Sequence, residues 1–191
     1  MKLLRRLGSF LLIAAVLAAG QAVGDATPDR NHQLRPFAVA GDFGTDVVGR
    51  DFAVRAAAVR CAAQLKIGDE ILETQGVWIV VKLRLSARTE PVRIRYAAVR
   101  DASGRIYETT DRFEQYLVSG GRNIQPGLPI EGEVAIEVPA ASAGDLTLLV
   151  ASTYVDHRVD SMAEIPLPVS DVSGVLANPA PTEVLAPRAA S

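Results

Sequence analysis

The chain predicts an all-β sandwich, and two features of the residue pattern point there. Short runs alternate apolar and polar side chains with a period of two, and Gly, Pro and Asp-x-Ser-Gly signals separate them. From Asp25 onward there are 167 residues, enough for one ordinary domain with tails.

Residues 50–65 are rich in Ala, which permits a helix. Phe52-Ala53-Val54 and Ala58-Val59-Arg60-Cys61 fit a long, partly buried strand better. Residues 76–86 form the clearest strand. Val77, Ile79, Val81, Leu83 and Leu85 make one face, and Trp78, Val80, Lys82, Arg84 and Ser86 make the other. Residues 91–100 place Val92, Ile94, Tyr96 and Ala98 against Arg93, Arg95, Ala97 and Val99. Pairing the two apolar faces fixes the register parity. An antiparallel hairpin then sets Leu85 opposite Val92, Leu83 opposite Ile94, Val81 opposite Tyr96 and Ile79 opposite Ala98, with residues 87–90 as the connection.

Asp101-Ala102-Ser103-Gly104 reads as a turn, because Gly adopts positive φ without strain. A short strand follows at 105–110, and Pro126-Gly127-Leu128-Pro129 marks another turn. Glu131, Glu133, Ala135 and Glu137 then alternate with Gly132, Val134, Ile136 and Val138 until Pro139 stops the strand. Runs at 145–156 and 159–167 complete the sandwich, placed at 36–168. Residues 25–35 read as a polar linker. Residues 169–191, with three Pro and many Ala and Ser after position 170, read as a disordered tail.

The amino-terminal residues set the expected compartment. Lys2, Arg5 and Arg6 precede an uncharged, apolar run at 7–24, the order of an export signal. The 18-residue run exceeds the about 17 residues that a spanning helix needs at minimum. Ala22-Val23-Gly24 before Asp25 equally suits signal peptidase. A cleaved signal and a permanent anchor therefore both fit residues 1–24, giving a protein that is secreted or membrane-anchored facing outside. Phe10 lies too far from Arg5-Arg6 for a twin-arginine signal, and no Cys is placed for lipidation. Without Lys2, Arg5 and Arg6, 17 basic residues face 22 acidic ones, a net charge of −5 that argues against nucleic-acid binding. Cys61 is the sole cysteine, so no internal disulfide forms.

The order of these marks resembles a known group. Gly76-Val77-Trp78-Ile79-Val80-Val81 opens a long strand, and an Arg-Asp-x-x-Gly-Arg-x-Tyr turn runs from Arg100 to Tyr107. Pro126-Gly127 and a closing Glu137-Val138-Pro139 follow. Over about residues 40–155 the chain looks like the bacterial extracytoplasmic domain catalogued as domain of unknown function 4352. That group is similar in fold to a secreted mycobacterial immunoprotective antigen. The resemblance implies an immunoglobulin-like antiparallel β-sandwich preceded by one N-terminal hydrophobic helix. It carries no catalytic residues onto this chain.

Catalytic chemistry has few candidates. His32 falls in the linker, and His157 stands beside Asp156 without a Cys pair or second ordered His to complete a metal cage. Ser119-Gly120-Gly121 lacks the Gly-x-Ser-x-Gly context of a nucleophile elbow. No phosphate or calcium loop pattern is present, so no enzyme and no cofactor are expected. The expected hairpin instead puts Arg84 opposite Arg93 and Lys82 opposite Arg95, beside Trp78, Val80, Ala97 and Val99. Like charges so placed need compensation. Glu131, Glu133 and Glu137 on another strand supply it in one reading. In the other, Trp78, Lys82, Arg84, Arg93 and Arg95 form a surface for an acidic partner: an anionic lipid surface, an envelope polymer or a protein. The irregular stretch 113–125 is a second recognition candidate. The expected function is an exported, cell-envelope-associated binding or accessory module. The alternatives are a membrane-anchored structural subunit, and a hydrolase or metal-dependent enzyme built around His157.

Overall fold

Alternating side chains become two facing sheets. The computed structural model describes residues 36–118, 122–154 and 160–190. The expected signal or anchor at 1–24, with its hydrophobic helix, and the linker at 25–35 lie outside the described residues. Among the described residues no helix is long and apolar enough to cross a membrane. The elements are β1 (Phe37–Ala40), β2 (Val47–Val48), β3 (Phe52–Ile67), β4 (Glu70–Ala87), β5 (Tyr96–Asp101), β6 (Ile106–Glu108) and β7 (Ile130–Val138). After a 3-10 turn at Ala140–Ser142 come β8 (Leu146–Ala151), β9 (Ser161–Leu167), α1 (Val172–Ala177), β10 (Pro181–Glu183) and β11 (Arg188–Ala189).

One sheet has the order β1-β9-β8-β5-β6, and the other β10-β3-β4-β7-β11 with β2 also on β3. The inward faces meet in one core. Phe52 and Val54 of β3, Val77 to Leu85 of β4 at alternate positions, and Val134, Ile136 and Val138 of β7 come from one side. Ala97, Val99, Leu146, Leu148, Val150, Ala163 and Ile165 come from the other. The fold is thus a β-sandwich. Most pairings are antiparallel, but β1 with β9 and β10 with β3 are parallel, unlike the purely antiparallel expectation.

The stretch that resembled helix or strand is β3. Its mixed pattern comes from irregular pairing with β4 between Ala56 and Ala58 and again between Ala62 and Gln64. Each shift changes which parity faces inward, so Phe52, Val54 and Ala56 are followed by Val59 and Cys61.

The expected hairpin between residues 76–86 and 91–100 does not form. β4 is paired on both edges, by β3 and by β7. Residues 88–95 instead carry the chain across to the other sheet, where β5 lies between β8 and β6. Apolar faces of two strands satisfy each other equally well across a sandwich as beside one another, so parity alone does not name a neighbour. Regular strand starts only at Tyr96. Val92 and Ile94 face the core, but the parity then changes so that Ala97 and Val99 face inward. Tyr96 and Ala98 join Leu149, Ala151 and Met162 in a separate buried cluster.

The turn at 101–104 has a built-in clasp. The Asp101 carboxylate accepts hydrogen bonds from Ser103 N and Oγ, Arg105 N and Nε, and the Tyr107 hydroxyl. Gly104 takes φ 85° and donates its N–H to the Asp101 carbonyl. The Ser103 hydrogen bond, followed by those from Arg105 and Tyr107, outweighs desolvation and holds the Asp101 carboxyl well below the usual carboxylate range. A depressed native pKa stabilises the fold above the unfolded-state value and loses that contribution as pH falls through the native one. Asp101→Asn is therefore expected to melt below wild type at neutral pH. The difference should narrow on acidification, as read by thermal midpoints across the carboxylate range.

Residues 169–191, expected as a disordered tail, are ordered through residue 190. α1 follows β9, β10 pairs with β3 at Gln64–Lys66, and β11 pairs with β7 at Ile130 and Glu131. The segment joins the compact unit that begins at Pro36. It starts at one edge of the β3-β4-β7 sheet and finishes at the other, so residues 184–187 cross its outer face. Val184 packs there with Trp78, Leu65, Leu72 and Val80. Composition shows that this segment cannot build a core of its own. Its order comes from backbone pairing with exposed strand edges, which blunts them.

Candidate functional site

The outer face of β4 carries three of the five expected partner-surface residues, and the sheet itself engages them. Trp78 is fully buried. Val184 of the carboxy-terminal strap and Phe113 cover it, with the Phe113 ring edge-on at 6.4 Å between centroids. The Arg112 guanidinium stands 5.5 Å over the indole. Trp78 is therefore a packing residue and no part of a docking surface, a correction that follows from the ordered strap. Its Nε1 is buried with no hydrogen-bond acceptor among the described residues.

Lys82 and Arg84 lie opposite Glu133 and Glu131 across the β4–β7 ladder, not opposite Arg95 and Arg93. Lys82 Nζ contacts Glu131 Oε2 at 3.0 Å. The Lys82 hydrogen bond, with the charges of Lys82, Arg188 and Arg84, lowers the Glu131 pKa against desolvation. The hydrogen bond and charge of Arg55, with the charge of Arg84, likewise lower Asp46. Glu137 accepts from Thr74 Oγ1 and lies 3.5 Å from Arg112 Nη1. The acidic row on β7 thus compensates the cations of this face, the balanced-charge reading.

Glu133 has the most structural consequence. Arg60 Nη1 and Nη2 donate to its two oxygens at 2.5 and 2.8 Å, and the Leu185 amide donates at 2.9 Å. Arg60 also donates to the Glu183 carbonyl, so one ion pair fastens the strap. Burial opposes ionisation of Glu133, but the hydrogen bonds from Arg60 and Leu185 and the charges of Arg60 and Lys82 overcome it, leaving a lowered pKa.

Arg93 and Arg95 sit elsewhere. They belong to the crossover before β5, where Val92 and Ile94 point into the core and force the two arginines outward. The start of β5 meets the ends of β6 and β8 at one end of the sandwich. There the two arginines line a cleft of about 620 Å³ with Thr109, Thr110, Asp111, Phe113, Glu114, Val118 and Tyr154. Arg93 Nε donates to Asn123 Oδ1 at 2.6 Å. The side chains of Arg95, Asp111 and Glu114 make no hydrogen bond or ion pair among the described residues. Tyr154 is 59% exposed, while Phe113 is held by its contact with Trp78.

The 113–125 stretch therefore divides. Phe113 and Glu114 border the cleft, whereas Gln115 is buried and clamps β7. Gln115 Nε2 donates to the Ala135 carbonyl at 2.6 Å, and the Ala135 amide donates to Gln115 Oε1 at 3.0 Å. Residues 119–121, His32, Asp156 and His157 lie outside the described residues. Among those described, no group of three or more His, Cys, Asp or Glu could hold a metal. Cys61 is half-buried, with Sγ 3.5 Å from the Ser170 carbonyl, and burial raises its pKa, with the Asp171 charge adding to the effect. The sequence reading missed Thr109, Thr110, Asp111 and Tyr154. The polar-aromatic run from Thr109 to Glu114 was a usable signal for most of them, whereas nothing local marks Tyr154.

No family model matches the chain, and no curated protein matches it. The solved structures it resembles include the yjhA protein of Bacillus subtilis, at 10% identity and TM-score 0.48, over 65% of this chain and 98% of that one. A second is the secreted protein MPT63 of Mycobacterium tuberculosis, at 16% identity and TM-score 0.49, over 67% of this chain and 98% of that one. A third is an uncharacterised β-sandwich protein of Clostridium difficile, at 10% identity and TM-score 0.40, over 68% and 94%. The sandwich assignment for this chain rests on its own strand pairings.

Proposed function

We propose that this protein is an exported, cell-envelope-associated binding module without catalysis, and that the cleft between the β5 crossover, the β6 exit and the β8 exit is its recognition site. The reading includes an immunoglobulin-like sandwich of the group catalogued as domain of unknown function 4352. It also includes export directed by residues 1–24. One observation carries the choice of site. Lys82, Arg60, Arg55, Arg100, Arg105 and Arg112 are all ion-paired. Arg95, by contrast, opens into a cavity of the size that takes small ligands or a short piece of a polymer. A cation left unpaired in a concave site is available to an incoming anionic group, whereas the paired cations are already neutralised.

The test is in-cell crosslinking followed by affinity capture, comparing wild type with Arg93→Gln/Arg95→Gln and with Lys82→Gln. Loss of a captured envelope component from the double variant, with retention by Lys82→Gln, is the expected result. Equal capture by all three would place recognition outside the cleft.

A further inference from the structure

The cleft's lining says what kind of ligand it suits, and this step rests on the recognition reading above. We infer that the cleft takes an acidic saccharide: a hydroxyl-rich ring ligand carrying one carboxylate, such as a uronic, muramic or neuraminic acid unit of a longer glycan.

Charge comes first. Arg93 and Arg95 share the cleft with an equal number of acids, Asp111 and Glu114, with which they form no ion pair among the described residues. A site for a polyanion concentrates cations and excludes acids. Here a phosphate-rich polymer or an anionic bilayer would meet two carboxylates for every two guanidinium groups. A ligand with a single carboxylate and several hydroxyls meets the opposite situation. The planar fork of Arg95, without an ion pair or hydrogen bond among the described residues, can hold the carboxylate through two parallel hydrogen bonds. Asp111 and Glu114, acceptors without a donor among the described residues, can receive hydroxyl protons.

The neutral groups agree. Thr110 Oγ1 accepts the Arg112 amide at 3.1 Å, which leaves its own hydroxyl proton for an outside acceptor. Phe113 and Tyr154 supply flat apolar surface, and the Phe113 ring is already oriented by Trp78. A pyranose presents C–H groups on one face and hydroxyls around its rim, so aromatic planes and planar polar side chains can be used together. A peptide carboxyl terminus would be captured instead by convergent backbone N–H groups. This cleft is characterised by side chains.

The experiment uses the full chain on a glycan array displaying uronic, muramic and neuraminic acid glycans beside their neutral counterparts. Inorganic polyphosphate and phosphatidylglycerol vesicles are the polyanion comparators. The expected result is retention of one or more acidic glycans and not of their neutral forms, weakened about tenfold or more by Arg95→Gln. Arg95 is exposed, so that variant should keep the wild-type thermal midpoint, and Tyr154→Ala should weaken binding independently. Retention of no acidic glycan, equal retention by Arg95→Gln, or preference for polyphosphate or vesicles would overturn the ligand class. Should the crosslinked envelope component still depend on Arg93 and Arg95, the cleft remains a recognition site for another chemistry. Should that dependence fail too, both readings fall.

Discussion

Removing residues 180–191 is expected to destabilise the domain by about 3–5 kcal/mol and to shift the emission of the single tryptophan to longer wavelength. The shortened chain loses β10 and β11, the apolar cover that Val184 gives Trp78, and the Leu185 amide on Glu133. It also leaves the Glu133 carboxylate with only Arg60 where it had a third donor. Trp78 is the sole indole, so its fluorescence reports on this small core alone. Unchanged emission and midpoint would show that the strap does not hold the sheet. The same clamp gives an acid response. Glu133 has a lowered native pKa, so its contribution is present above the ordinary carboxylate value and disappears as pH falls through the native one. Glu133→Gln should weaken the strap at neutral pH and remove part of that acid dependence.

Gly76→Val is expected to cost about 2–4 kcal/mol, through backbone rather than side-chain packing. A Cβ at position 76 would stand 2.2 Å from the Val138 carbonyl oxygen and 3.3 Å from Pro139 Cα. β4 and β7 pair there, at Val77 with Val138, so neither strand can retreat without opening the ladder. Thr74 adds to the constraint by accepting the Gly76 amide at 2.8 Å while donating to Glu137. Gly144→Ala is the matched control, because a Cβ there meets nothing within 4 Å. Chemical denaturation of both variants would decide the point. Equal midpoints would mean that the close approach of β4 to β7 is not required.

These residues also show where sequence reasoning works. The inward row Val77, Ile79, Val81, Leu83 and Leu85 and the β7 row Val134, Ile136 and Val138 were both readable, because each strand is regular and alternation maps directly onto its two faces. Gly104 at φ 85° and Gly127 at φ 78° stand in the turns their neighbours announced. The Glu131, Glu133 and Glu137 row was legible as a counter-charge, since the cations of β4 required one. The candidate site was legible only in pieces. Arg93 and Arg95 were singled out, but on a hairpin face that does not exist and together with a tryptophan that is buried.

Alternation by itself determined which side chains turn inward along β4 and β7, and turn chemistry determined where the chain reverses. Tertiary structure alone decided that residues 88–95 cross between sheets, that 181–183 and 188–189 lie along strand edges, and that Arg93 and Arg95 share a cleft with Asp111, Glu114 and Tyr154. The reason is physical. A period of two states which face of a strand is apolar, but hydrogen bonding along a strand edge uses backbone groups that every residue shares. Which strand lies beside which is therefore settled by how all the apolar faces can be buried at once.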